Sequence, residues 1–223
     1  MRLRFINPNT TVSMTDKVLA AARDAAPAGV RVEASTSRFG PAAIQGEADG
    51  RAALPGLLEA VARADAEGVD VLAIACFDDT GIAQARAASA VPVLGIGQCA
   101  CLASLALGHR FSVVTTLAVS IPVIERNLTR AGLAGGCARV RASEVPVLAL
   151  ERPGSEAERR VAEEIERAIA EDDIGAIVLG CAGMADLAAR FEERFGLPVL
   201  DGVVAATRVA TLVAARRRAD ERS

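Results

Sequence analysis

The chain has 223 residues, 52% of them hydrophobic, with a formal net charge of −3. This supplies core material for one large domain or two small lobes, while the acidic balance excludes a nucleic-acid footprint, which needs clustered Lys and Arg. No apolar run approaches the ~18 residues of a membrane span, and the N-terminus enters a strand without a signal-peptide core, so the sequence predicts a cytoplasmic protein with no membrane partner and reduced cysteines.

Arg2-Leu3-Arg4-Phe5-Ile6 reads as the first strand, stopped by Asn7-Pro8-Asn9-Thr10-Thr11, because Pro cannot donate to a ladder and Asn and Thr favour turns. A helix is expected over 13–26, with Ser13 and Asp16 as a capping box and Val18, Leu19 and Ala22 on its apolar face. Val30-Arg31-Val32-Glu33-Ala34 alternates as a second strand. After a loop containing Phe39-Gly40-Pro41, a helix carries Leu57, Leu58, Val61 and Ala62. The apolar run 70–75 then ends at Cys76, a helix is expected over 80–88, a strand over 91–95 and another helix over 98–107.

The pattern then restarts. Arg110-Phe111-Ser112-Val113-Val114-Thr115-Thr116 resembles Arg4 to Thr10 at an offset of 106, and Ala138 to Ser143 resembles Val30 to Ser35 at an offset of 108. Ser120-Ile121-Pro122 opens a helix, with Pro in the tolerated first turn. Ser155 and Glu158 read as a cap for a helix burying Val161, Ile165 and Ile169. A second apolar run ends at Cys181, 105 residues after Cys76. A helix carrying Leu187, Phe191 and Phe195 follows, then a strand over 197–200 opening on Pro198, as the first copy opens on Pro92. A last helix is expected over 203–217, ending in Arg216-Arg217-Arg218, which reads as a solvated helix end that complements its dipole.

Offsets of 105 to 108 in separated segments imply internal duplication. Strands alternating with helices imply parallel sheets and right-handed crossovers. The predicted fold is therefore α/β, with two pseudo-symmetric doubly wound lobes, 1–97 and 98–202, and the helix 203–217 packing back on the first. The site is expected in the cleft between them, facing the strand ends at Asn9, Cys76, Thr115 and Cys181.

The five cysteines (76, 99, 101, 137 and 181) lack the paired spacing of a disulfide framework. Cys99-Ala100-Cys101 is not Cys-x-x-Cys and His109 is the only histidine, so no zinc or other metal site is expected. Cys99, Cys101, Cys137 and His109 read as ordinary structural or surface residues. Cys76 and Cys181 differ, because they occupy matching ends of repeated strands. A thiol just before a helix N-terminus is expected to be biased toward the thiolate. One thiolate can remove a proton from a carbon while a thiol delivers one to the opposite face, which inverts a stereocentre without a cofactor.

The segments Ile6 to Thr10, Phe39-Gly40-Pro41, Ala75 to Gly81, Pro92 to Gly97, Phe111 to Thr116, Leu179 to Met184 and Pro198 to Gly202 resemble the aspartate/glutamate racemase superfamily, and within it the hydantoin/allantoin racemase family. The resemblance spans essentially the whole chain. It implies a two-lobed α/β fold, cofactor-independent two-base racemisation of a small molecule and a homo-oligomer, with Cys76 and Cys181 as the acid/base pair. It also implies Asn9, Phe39, Gly40, Pro41, Thr115, Thr116 and the turns Phe77-Asp78 and Ala182-Gly183 as the substrate cradle. The chain departs from the family where Cys76-Phe77-Asp78-Asp79-Thr80-Gly81 stands for the frequent Cys-Phe-Gly-Asp-Pro-Gly, and where Gln98 replaces a common Glu.

Phe77 and Ala182 cannot hydrogen-bond a zwitterion through their side chains, whereas backbone N–H groups of Ala182-Gly183 suit a carbonyl or its enolate oxygen. This favours a neutral ring such as a hydantoin or allantoin, inverted at C5 through an enolate. An amino-acid (Asp/Glu) racemase and a maleate-type cis–trans isomerase remain as alternatives. An arylmalonate-decarboxylase-like enzyme would keep only the second cysteine. A non-catalytic small-molecule binding module is the alternative from another class.

Overall fold

The structure is a computed structural model that describes residues 1–151 and 154–220, without the side chains of 217–220. Arg217 and Arg218 of the basic run therefore lie outside the described side chains.

The first half runs β1 (Arg2–Asn7), α1 (Val12–Ala25), β2 (Arg31–Thr36), α2 (Glu47–Ala66), β3 (Val71–Ile74), α3 (Ile82–Ala88), β4 (Val93–Gly95) and α4 (Ile96–Ala106). The second runs β5 (Phe111–Thr115), α5 (Ile121–Arg130), β6 (Cys137–Ala142), α6 (Glu156–Glu171), β7 (Ala176–Gly180), α7 (Ala188–Phe195), β8 (Val199–Leu200) and α8 (Gly202–Asp220). The strands form two four-stranded sheets, ordered β2-β1-β3-β4 and β6-β5-β7-β8. Every pairing is parallel. The halves thus share one topology, as the repeat predicts.

Successive side chains of a strand face opposite sides, and both sheets are covered twice. Leu3, Phe5, Val71, Ala73, Phe111, Val113, Ala176 and Val178 turn into one core shared by both sheets. Ile6, Leu72 and Ile74 turn the other way, onto Leu57, Ala60 and Val61 of α2. Val114, Ile177 and Leu179 likewise meet Val161 and Ile165 of α6. Two-sided burial explains why these strands read as continuous apolar runs. Burying each large side chain stabilises by about 1.5–3 kcal/mol. Helix α8 packs against α4 and α1, and reaches β3 and β4. Helix α4 contacts β5, β7 and β8.

Local expectations need three corrections. The residue preceding α1 is Thr11, not Ser13, and no side-chain cap forms there; the Thr11 hydroxyl instead donates to the Ala42 carbonyl at 2.7 Å. Ser155 does precede α6, but its hydroxyl makes no cap bond, and Glu158 Oε2 accepts from Gly154 N at 3.0 Å. Ile169 is 40% exposed, because the inward stripe of α6 passes through Ala157, Val161, Ile165 and Ala168.

Candidate active site

The carboxyl ends of β1, β3, β5 and β7 converge on one small cavity. Asn9, Cys76, Phe77, Asp78, Thr115, Thr116, Cys181 and Ala182 line it, joined by Met14, Ile44, Ser120 and Val147. Its volume is about 20 Å³, room for a water or two.

After β1 the chain is held by Asn7. Its Nδ2 donates to Asn9 Oδ1 at 2.9 Å, Thr11 O at 3.1 Å and Thr15 Oγ1 at 3.0 Å. Asn9 Oδ1 also accepts from Thr11 N at 2.9 Å. With its oxygen engaged on both sides, Asn9 turns its amide nitrogen to Met14 Sδ, a weak acceptor at 3.5 Å. An amide donor is thereby left for a ligand carbonyl.

The turn after β3 carries Cys76. Its geometry depends on Asp79, a non-glycine residue at φ 45°. Asp79 Oδ1 accepts from Gly97 N at 3.0 Å and Oδ2 from Gln98 N at 2.9 Å. The carboxylate therefore sits on the N-terminus of α4, where both donors and dipole favour an anion. Thr80 Oγ1 lies 3.4 Å from Cys76 Sγ as a donor. On the other side of the cavity Cys181 opens a short 3₁₀ turn, Ala182–Met184, and the Gly183 N–H donates to its sulfur.

The two thiols are not pre-ionised, which corrects the expectation of helix-dipole activation. Helix α3 starts only at Ile82, too far along the turn for its N-terminus to dominate at Cys76. Burial pushes the Cys76 thiol far above its ordinary value, and the charge of Asp78 adds to this. Burial likewise pushes Cys181 up to about 12, opposed by the Gly183 N–H. Asp78 is pushed up to about 7 by burial and then by the charge of Asp79. Asp79 is also raised to about 7 by burial, against its two backbone donors. Of the pair, Asp79 has the partners that hold an anion, so Asp78 is the one that takes a proton.

The other predicted cradle residues lie elsewhere. Phe39 is 61% exposed. Gly40 has φ 118° and backs onto α2 at Ala53. The Pro41 carbonyl accepts from Thr10 N at 3.0 Å and Thr10 Oγ1 at 3.3 Å. This loop braces the turn after β1 and does not line the cavity. Gly183 stands beside Cys181 without being one of the lining residues. Met14, Ile44, Ser120 and Val147 also line the cavity, and of these only Met14 carries a signal in the sequence, since it lies one turn into the helix that follows the Asn9 loop. Among the described residues, no group of three or more His, Cys, Asp or Glu could hold a metal ion.

Comparison with known proteins identifies the family. Residues 3–210 match the Asp/Glu/hydantoin racemase family. The chain belongs to that family. A hydantoin racemase of Rhizobium meliloti is 45% identical over 94% of this chain and 87% of its own. The allantoin racemase from Klebsiella pneumoniae superposes with a TM-score of 0.93 at 39% identity, covering 96% of this chain and 88% of that one. The allantoin racemase from Pseudomonas fluorescens gives a TM-score of 0.92 at 36% identity, covering 96% and 91%. As a member of the racemase family the protein is an isomerase of the racemase type.

Proposed function

We propose that this racemase-family protein inverts the C5 stereocentre of hydantoins, allantoin among them, with Cys76 and Cys181 as its two bases. The observation that carries the reading is the pair itself. Thiols at the matched ends of β3 and β7 line one cavity from opposite sheets. The names of the relatives support the ring, and the family supports the reaction type.

In the proposed cycle one cysteine is a thiolate and the other a thiol. The thiolate takes the C5 proton, and the C5–H electron pair moves into the ring as an enolate. The opposite thiol then gives its proton to C5 on the other face. The product is the other enantiomer, and the two cysteines have exchanged protonation states. Ring carbonyls make this possible without a cofactor, because they hold the negative charge that the C–H bond releases. The Asn9 amide is placed to donate to a ring carbonyl. Burial, which raises both thiols, makes each thiolate a strong base once formed.

The reading includes two lobes, 1–97 with the last helix and 98–202, parting to admit substrate. It also includes a cytoplasmic homo-oligomer. Leu102, Leu107 and Leu212 expose apolar side chains that support assembly.

The test is incubation with single enantiomers of a 5-substituted hydantoin and of allantoin in D₂O. Loss of circular dichroism with deuterium uptake at C5, abolished in Cys76→Ala and in Cys181→Ala, is the expected outcome. Turnover of aspartate, glutamate or maleate without any hydantoin exchange would overturn the substrate. Ligand binding by the wild type without any exchange, surviving loss of both thiols, would mark a binding module.

A further inference from the structure

Asp78 is the one titratable residue lining the cavity that the two-base cycle leaves unused. It is only 7% exposed. Its Oδ2 is buried and has no hydrogen-bond partner among the described residues. The bond that reaches Asp78 from the second sheet goes to its backbone carbonyl, from Asn127 Nδ2 at 2.5 Å. No cation offsets it in the cavity, whose other lining residues are neutral amides, hydroxyls, thiols and apolar groups. The neighbouring guanidinium of Arg126 is turned to Glu47 at 3.2 Å. A buried carboxyl oxygen without a partner costs on the order of 1–3 kcal/mol, more if charged, and a ligand that supplies the partner recovers that cost.

What fits follows from the group. A carboxyl beside the Asp79 charge, in a site without cations, binds best in its neutral form, and a neutral carboxylic acid carries one donor and one acceptor side by side. The complement is an N–H next to a C=O on the same edge. A trans amide points these groups in opposite directions. A five-membered lactam or ureide is locked cis and presents both together. Two antiparallel hydrogen bonds then close an eight-membered ring of atoms. A substrate carboxylate, by contrast, offers no N–H to the second oxygen of Asp78 and would lie near the Asp79 charge.

We propose that Asp78 is a substrate-binding residue that grips the N–H/C=O edge of the cyclic ureide and so fixes C5 between Cys76 and Cys181. The inference rests on the hydantoin reading and deepens it, assigning ring recognition to a residue two positions beyond the first thiol. It also gives a physical reason why this site takes neutral rings and not amino acids or diacids.

The test uses the full chain and two readouts. Calorimetric titration with unsubstituted hydantoin, 1-methylhydantoin and 3-methylhydantoin measures ring binding without turnover. Racemisation of a 5-substituted hydantoin gives KM and kcat. Asp78→Ala is expected to weaken hydantoin binding and raise KM about tenfold or more, the loss of roughly 1.4 kcal/mol, with kcat changed less. Asp78→Asn keeps a donor and an acceptor side by side, and is expected to stay within about threefold of the wild type. Methylation of one of the two ring nitrogens should weaken binding to wild type and Asp78→Asn, but not to a folded Asp78→Ala. If Asp78→Ala does not fold, the methylation penalty in wild type and its retention in Asp78→Asn decide. Equal binding of all three hydantoins by wild type, or a methylation penalty undiminished in Asp78→Ala, would overturn the assignment, as would a wild type that binds no hydantoin. Binding with the Asp78 signature but no racemisation would instead overturn the proposed activity and leave the assignment standing.

Discussion

The amide of Asn127 on α5 donates to the main-chain carbonyl of Asp78, crossing from the second sheet's helices to the turn that carries Cys76. Few bonds tie the halves together beside the cavity. Others are Glu47 with Arg126 at 3.2 Å, Gln45 Oε1 with Val147 N at 3.0 Å and Lys17 Nζ with Leu150 O at 2.8 Å. The Asn127 bond fixes the Cys76 turn against the second half.

Asn127→Ala is therefore expected to lower kcat/KM about tenfold, the equivalent of one lost hydrogen bond at the Cys76 turn. The melting temperature should change little, because Asn127 is only part-buried. Racemisation rates beside thermal melts check this. An unchanged kcat/KM would show that the turn holds its shape without the tie.

Gly95 and Gly97 support the same turn from beneath. A Cβ on Gly95 would fall within the Asp79 carboxylate, and one on Gly97 would run into the Phe77 carbonyl. Gly95→Ala and Gly97→Ala should each destabilise by about 1–3 kcal/mol through overpacking and displace Cys76. Gly135→Ala is the control, since nothing lies within 4 Å of its added Cβ. Denaturant midpoints decide. Equal midpoints for Gly95→Ala and Gly135→Ala would mean that the Asp79 brace can move at no cost.

This turn also shows where sequence reading stops. The strands ending in Cys76 and Cys181 are legible because two-sided burial writes itself as an apolar run, and because the run occurs twice. The Asn9 and Thr115 positions follow from strand ends alone. Ile44 and Val147 are different, since they enter the cavity from loops whose side-chain directions depend on contacts across the halves, such as Gln45 to Val147. Phe39 to Pro41 belongs to the right region, yet the Pro41 carbonyl faces the turn after β1 and the Phe39 ring faces solvent. The state of the thiols is illegible for a related reason. A dipole is visible as a helix start in the sequence, whereas the desolvation that outweighs it is a property of the folded cavity.

The pH dependence of stability carries a sign. Asp78 is raised from its ordinary range to about 7 by burial and by Asp79. A carboxyl raised on folding contributes stability that is complete below its unfolded value and lost as pH climbs through the folded one. Asp78→Asn removes this loss. The melting temperature of Asp78→Asn relative to wild type should therefore rise from pH 5 to pH 8 and level off above. A difference that is flat across this range would mean that Asp78 titrates as it does in the unfolded chain.

Arg141 reverses that sign within the same molecule. It sits on the edge strand β6 with 7% of its side chain exposed. Its guanidinium forks onto Asp172, with Nε to Oδ2 at 2.7 Å and Nη2 to Oδ1 at 2.7 Å. It also reaches Glu171 at 2.7 Å and Glu164 at 3.2 Å. Ser112 completes the Asp172 shell at 2.6 Å. Arg141 foremost, against the opposing cost of burial, holds the Asp172 carboxyl below its usual range. A carboxyl lowered on folding contributes stability that is present above its unfolded value and lost as pH falls through the folded one. Arg141→Ala would leave Glu164 to Arg167 at 2.8 Å and the buried Asp172 to Arg139 at 3.7 Å, at a cost of about 1–3 kcal/mol for the hydrogen bonds lost. Arg141→Lys should recover only part of this, because an ammonium cannot bond two oxygens of one carboxylate in the plane of a fork. The deficit of Arg141→Ala against wild type should be large at pH 7 and shrink toward pH 3, where protonated carboxyls no longer need the guanidinium. Urea titrations at the two pH values measure it. A deficit as large at pH 3 as at pH 7 would assign the role of Arg141 to the packing of its aliphatic stem rather than to its charge.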